Sequence, residues 1–175
     1  MIKFKKIMKG ALLPISLILI ISLSRIIPHP YNFTPLIAIG IFSGFYFRKF
    51  IVGLFVTILA MFIGDLYLGF HNTMFFTYIA LIVPVALGVF IERFKFTEIV
   101  ITGVLSSVGF FLITNFGAWL TLGMYEKSLA GLINSYTLAI PFFHNTLIST
   151  FLYLLLCKII FESFINKKRI VKSTI

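Results

Sequence analysis

Apolar residues fill six long segments of the chain, and short polar or charged stretches separate them. Most of these segments approach the length of about 20 residues that a helix needs to cross a hydrocarbon core of about 30 Å. The pattern therefore predicts an all-α membrane protein whose single domain, residues 1–175, is a compact bundle of six transmembrane helices. The predicted spans cover residues 7–27, 36–47, 51–68, 73–91, 99–122 and 135–161.

The second predicted span is too short to cross a bilayer alone. At about 1.5 Å per residue, residues 36–47 extend roughly 18 Å. The preceding sequence PHPYNFTP, residues 28–35, contains three prolines and cannot form a continuous helix. We expect this Pro-rich segment to dip below the outer surface, because irregular backbone at that depth is tolerated only where protein or a water-filled cavity shelters it.

Three smaller features complete the predicted bundle. The first apolar run is too long for a signal peptide and lacks a small-residue cleavage site, so we interpret it as a retained helix, kinked at Pro14. Residues 123–134 are predicted to form an outer loop or a short interfacial helix. Gly40 and Gly44 form a GxxxG pair, which is typical of close helix contacts in lipid.

The basic residues predict the orientation of the bundle. All of the 15 except Arg25 and Lys127 fall at the two chain ends or in the turns at 48–49 and 93–95. An excess of Lys and Arg in short loops marks the cytoplasmic side, so both termini are predicted to be cytoplasmic in a bacterial inner membrane.

Composition agrees with this topology and excludes other classes. The chain is 60% hydrophobic and 11% charged, with a mean hydropathy of +1.10, whereas soluble domains carry roughly 25% charged residues. The pI of about 9.9 follows from topology, which leaves no basic face for nucleic acid. A single cysteine, Cys157, excludes an internal disulfide.

The polar side chains of the predicted spans gather on the outer side. Such side chains are costly in lipid and indicate function by default. Asn115 and Trp119 share a face of span five, and Thr34 is positioned to cap span two at its amino end. We expect an outward-facing cup, covered by the Pro-rich segment and residues 123–134. Its candidate substrate-binding residues are Asn32, Thr34, Asp65, Asn115, Trp119, Tyr136, His144 and Asn145.

Structural roles are alternatives for several of these residues. Asn115 could bond to another helix without binding any ligand. Arg25 and Asp65 both lie at outer helix ends and could form a scaffold ion pair, which does not exclude their lining a pocket. Trp119 could belong to an interfacial aromatic belt.

Four stretches of the chain carry a resemblance to a known family. They are SRIIPHPYNFTPLIAIGIF, GDLYLGFHNT, FFLITNFGAWL and GLINSYTLAIPFFHNTLIS. They resemble a family of uncharacterised bacterial six-span membrane proteins known by a domain-of-unknown-function label. The size and the outer polar cup are similar to the substrate-binding S components of energy-coupling-factor vitamin transporters. That likeness implies a transmembrane coupling protein with ATPase subunits as partners. Residues 10–14 read GALLP where those proteins have an AxxxA docking pattern, so coupling stays open.

These observations favour a membrane-embedded binding or transport subunit for a small, vitamin-like organic micronutrient. No cofactor or resident metal is expected, and the absence of a Walker motif assigns any ATP use to another subunit. One alternative is transition-metal uptake through His29, His71, His144 and Asp65. Another is a scaffold or accessory subunit. An enzyme is not expected, because no HExxH or GxSxG motif is present and Asp65 and His144 could act together only if they converge.

Overall fold

The structure, a computed structural model, describes residue 12, residues 16–21 and residues 23–173, with side chains as far as residue 163. Everything regular in that part of the chain is helical. The predicted kink at Pro14 lies outside the described residues. Residues 10, 11, 13 and 14, which belong to the stretch compared with the AxxxA docking pattern, also lie outside the described residues.

Seven helices follow one another along the described chain. Helix α1 occupies residues 16–21 and 23–26. The others are α2 (Leu36–Phe47), α3 (Phe50–Leu68), α4 (Met74–Ala80), α5 (Ile82–Phe90), α6 (Phe96–Thr121) and α7 (Leu129–Ser173). Of these, α3, α6 and α7 are long and apolar enough to cross a membrane, while α1, α2 and the α4–α5 pair are shorter apolar helices.

The fourth predicted span is not a single helix. It is interrupted at Leu81, whose N–H bonds to Tyr78 O in a tighter turn than an α-helix makes. Pro84 supplies the reason, because it has no N–H to offer Ala80 O and its ring crowds that carbonyl. The sixth span also differs from its prediction, since α7 begins at Leu129 and continues unbroken through Pro141.

Helix α2 forms the centre of the bundle. Every residue of Leu36–Phe45 is buried, and α2 packs against α3, α5, α6 and α7. Its contact with α5 is a contact of backbones: a Cβ on Gly44 would lie 2.2 Å from Val85 O, and one on Gly88 would lie 2.1 Å from Ile41 O. Gly44 thus mediates the close contact that its GxxxG spacing predicts.

The two ends of α2 meet different surroundings. At its carboxyl end, Arg48 adopts a left-handed conformation and donates to Glu92 O at 2.8 Å and to Ile91 O. These bonds bring the basic turns at 48–49 and 93–95 together at one end of the bundle. Its amino end lies at the opposite end, beside the Pro-rich segment and the turn that joins α3 to α4.

Candidate functional site

A cavity of about 450 Å³ opens at the end of the bundle where α2 begins. Its wall is built from the end of α1, the Pro-rich segment, the ends of α2 and α3 near it, α4, and facing parts of α6 and α7. The volume falls in the range of small-molecule sites. Its principal polar side chains are Arg25, His29, Asn32, Thr34, His71 and Asn115, and threonines of α4, α6 and α7 supplement them.

The Pro-rich segment covers the cavity in a fixed conformation. Phe33 N donates to Pro30 O at 3.0 Å, closing a turn in which Asn32 has a φ of 61°. Asparagine tolerates this left-handed conformation better than most residues. Asn145 Nδ2 on α7 donates to Tyr31 O at 3.0 Å, and the Tyr31 ring packs edge-on against Phe142. The segment is therefore attached to α7. Residues 33–35 are partly or fully buried, whereas residues 28–32 are exposed, so protein shelters only the last part of the irregular backbone.

A buried charge network forms part of the cavity wall. Arg25 lines the cavity with its side chain 14% exposed, and its Nη1 lies 2.6 Å from Oδ1 of Asp65, which is fully buried. Nη1 also donates to Met61 O at 2.9 Å, and Tyr78 donates to Asp65 Oδ2 at 2.7 Å. The predicted Arg25–Asp65 pair is therefore present, and it joins α1 to α3 beside the cavity.

Gly64 makes room for this network. A Cβ at Gly64 would lie 2.7 Å from Arg25 Nη1 and 3.1 Å from its Cδ. The glycine thus leaves the space that the guanidinium occupies against α3, one residue before Asp65. Gly64 therefore explains how Arg25 packs against α3.

Three of the eight candidate residues line the cavity. They are Asn32, Thr34 and Asn115. Thr34 lines the cavity but does not cap α2 as predicted. Pro35 occupies the N-cap position, and no side chain accepts a hydrogen bond from the free N–H groups there. Asn115 Nδ2 donates to Phe111 O within its own helix at 2.8 Å, and its side chain makes no hydrogen bond to another helix among the described residues.

The other five candidates lie around the cavity and do not line it. Asp65 sits behind Arg25. Trp119 donates to Glu126 O at 2.8 Å, and Tyr136 donates to Leu112 O at 3.0 Å. Asn145 holds the Pro-rich segment, as described above, and His144 is exposed. Residues 123–134, expected to cover the cup, contribute nothing to the lining.

The face of α7 that lines the cavity is displaced from the predicted one. Ala139, Phe142 and Thr146 line it, at helical spacing, in place of His144 and Asn145. Arg25, His29 and His71 are lining residues that the sequence placed on the outer side but not in the binding set. For Arg25 and His29, the position next to or within the Pro-rich segment was the available signal.

The arrangement gives little support to metal or acid–base chemistry. Within the described part of the chain, no three His, Cys, Asp or Glu side chains are grouped closely enough to hold a metal ion. The carboxylate of Asp65 contacts Arg25 and Tyr78, so the structure does not bring it to His144. The described lining residues offer hydrogen-bond groups and the guanidinium of Arg25.

Comparison with known proteins gives one match. Residues 5–172 match the model of a family described as "Family of unknown function (DUF6580)". Neither the curated proteins nor the solved structures contain a significant match to the chain.

Proposed function

The chain belongs to the family of unknown function DUF6580, and we propose that it is a membrane-embedded binding or transport subunit for a small organic micronutrient. The cavity beside the Pro-rich segment carries this proposal. It has the volume of a small-molecule site, an apolar wall that includes Phe110 and Phe142, and a few polar groups that converge on it.

The proposed topology is six spans with both termini in the cytoplasm of a bacterium. Three helices have the length and composition of membrane spans, and three further apolar units, α1, α2 and α4–α5, support the remaining crossings. The basic turns at 48–49 and 93–95 lie at one end of α2 and the cavity at the other. With the basic turns inside, the cavity opens outward, where a scarce nutrient would be collected.

Transport, beyond binding, is supported by interrupted helices at the site. Transporters commonly build their sites where spans are broken, because irregular backbone is tolerated only beside a cavity. Here α2 begins below the Pro-rich segment, and Thr73 and Thr77 line the cavity at the start of α4, before the break at Leu81. No Walker motif occurs in the chain, so a transmembrane coupling protein with ATPase subunits is the proposed source of energy.

The test is to identify what copurifies with the protein. The wild type, extracted in mild detergent, is compared with Ala118→Trp, which fills the cavity, and with the control Leu120→Trp on the exposed side of the same helix. Mass spectrometry of the released small molecules should find one organic compound with the wild type and the control, and lose it with Ala118→Trp. Equal retention by both tryptophan variants, or a stoichiometric transition metal in its place, would overturn the proposal.

A further inference from the structure

We infer that the cavity receives a small organic carboxylate, whose anionic group binds to Arg25 and whose apolar body lies against α6 and α7. This inference rests on the proposed function and specifies its substrate class. It begins from the charges at the cavity wall: among the described lining residues, Arg25 is the single Asp, Glu, Lys or Arg. Asp65 balances it from behind and is fully buried, so it presents no negative charge to a ligand.

Arg25 is held in a way that leaves donors available. Both of its polar contacts, to Asp65 Oδ1 and Met61 O, use Nη1. A guanidinium carries five N–H donors in a planar fork, so Nη2 and Nε keep three that contact no partner in the described part of the chain. Such a planar edge matches the two oxygens of a carboxylate.

Neighbouring residues hold the guanidinium in place, so that its free N–H groups have a defined position. Gly64 provides the space in which it lies, and Asp65 is itself fixed by the hydroxyl of Tyr78. Asp65, Gly64 and Met61 therefore act as positioning residues for Arg25. The pair also explains how an arginine is kept in an otherwise apolar bundle until a ligand arrives, since its charge is balanced in the empty state.

The other residues that line the cavity also favour a ligand with an anionic group and an apolar body. Leu36 and Ile37, at the uncapped amino end of α2, both line the cavity, where the helix dipole adds a partial positive charge. A cationic ligand finds no carboxylate among the described lining residues, and a neutral one offers Arg25 hydrogen-bond acceptors without a counter-charge, so it binds more weakly. Apolar side chains such as Phe110 and Phe142 suit a hydrophobic body.

The experiment uses acid and amide pairs of equal size. Nicotinate and nicotinamide, indole-3-acetate and indole-3-acetamide, and hexanoate and hexanamide are titrated into the full-length protein in phosphatidylcholine nanodiscs, whose lipid offers no carboxylate. Binding is followed by isothermal calorimetry at neutral pH. At least one acid should bind, and its amide should bind about ten- to a hundredfold more weakly, the range expected for losing a charged hydrogen-bond pair.

Variants assign the effect to Arg25. Arg25→Gln alone would leave Asp65 buried without a counter-charge and could unfold the protein, so the double variant Arg25→Gln with Asp65→Asn replaces the pair by two neutral amides. It should lose the preference for the acid, whereas His144→Gln, at an exposed histidine of α7 that does not line the cavity, should keep it.

Three results would overturn the inference. These are an amide that binds as tightly as its acid, a double variant that keeps the preference, or no binding by any pair. In each case the copurification experiment with Ala118→Trp still decides the proposed function separately.

Discussion

At the scale of single residues, Asp65 is the side chain whose burial is most costly, because its carboxylate has no exposed surface. Removing an ion from water costs several kcal/mol, and the cost is offset only when its partners are well placed. Here Tyr78 donates a hydrogen bond to Asp65 Oδ2, whereas Asp65 Oδ1 has the ion pair with Arg25 and no hydrogen bond among the described residues. The network is local, so its parts can be removed one at a time.

Tyr78→Phe should lower the free energy of unfolding by about 1–2 kcal/mol, because Asp65 loses one hydrogen bond to its charged form. Asp65→Ala should lower it by about 3–5 kcal/mol, because Arg25 is left without its counter-ion. Thermal or denaturant unfolding in detergent measures both. Tyr67→Phe, at a tyrosine that is 71% exposed, is the control and should have no effect. Equal stability of the two phenylalanine variants would show that the Tyr78 bond contributes nothing.

For individual polar residues, the direction in which each side chain points was the hardest feature to predict. The pairing of Arg25 with Asp65 followed from their shared position at outer helix ends, and it is present. His144 and Asn145, predicted to face the cup, do not line the cavity. Lipid and protein are both apolar, so the hydrophobic pattern of a membrane helix says little about its rotation, and hence about which side chains face inward.

At the scale of helices, the contact between α2 and α5 is the closest described here. Gly44 and Gly88 bring the two backbones together, and a side chain at either position would overlap a carbonyl oxygen of the other helix. A backbone atom cannot move aside as the end of a flexible side chain can. The contact also fixes α2, whose amino end forms part of the cavity.

Gly88→Leu should therefore destabilise the protein by more than the roughly 1–3 kcal/mol typical of overpacking, and should reduce the yield of monodisperse protein in detergent. The reason is that α5 must separate from α2. Phe90→Leu on the same helix, where the side chain is 79% exposed, is the matched control. A Gly88→Leu protein as stable as this control would contradict the contact.

Helix boundaries were predictable where local chemistry sets them. The bounds of α2 agree with prediction because proline precedes it and a charged turn follows it. The interruption at Leu81 was missed, although Pro84 was visible, because a proline in a membrane helix often produces only a kink. The start of α7 at Leu129 was missed because residues 123–134 lack a strong apolar period.

At the scale of the whole molecule, the basic turns and the polar cavity lie at opposite ends of the bundle. The Arg48 bonds join the two internal basic turns at one end, and the cavity lies at the other. The sequence predicted this separation from its charges alone. The cavity itself needs the packing of six helices and the Pro-rich segment against each other, which no local pattern specifies.

Cysteine labelling in whole cells tests the proposed orientation. Cys157 is first replaced by Ser, and single cysteines are then introduced at His29 and Tyr125 on the cavity side and at Lys49 and Arg93 on the basic side. A membrane-impermeant maleimide should label the first two in intact cells and the last two only after permeabilisation. Labelling of His29→Cys and Tyr125→Cys from opposite sides would refute the six-span arrangement.

The ion pair between Arg25 and Asp65 has a consequence for how the protein is made. The ribosome synthesises α1, which carries Arg25, well before α3, which carries its counter-ion Asp65. An arginine is costly to insert deep in a bilayer but much less so near an interface that its long side chain can reach. We therefore expect α1 to remain at the translocon, or near the membrane surface, until α3 arrives, so that α1, α2 and α3 enter the membrane together.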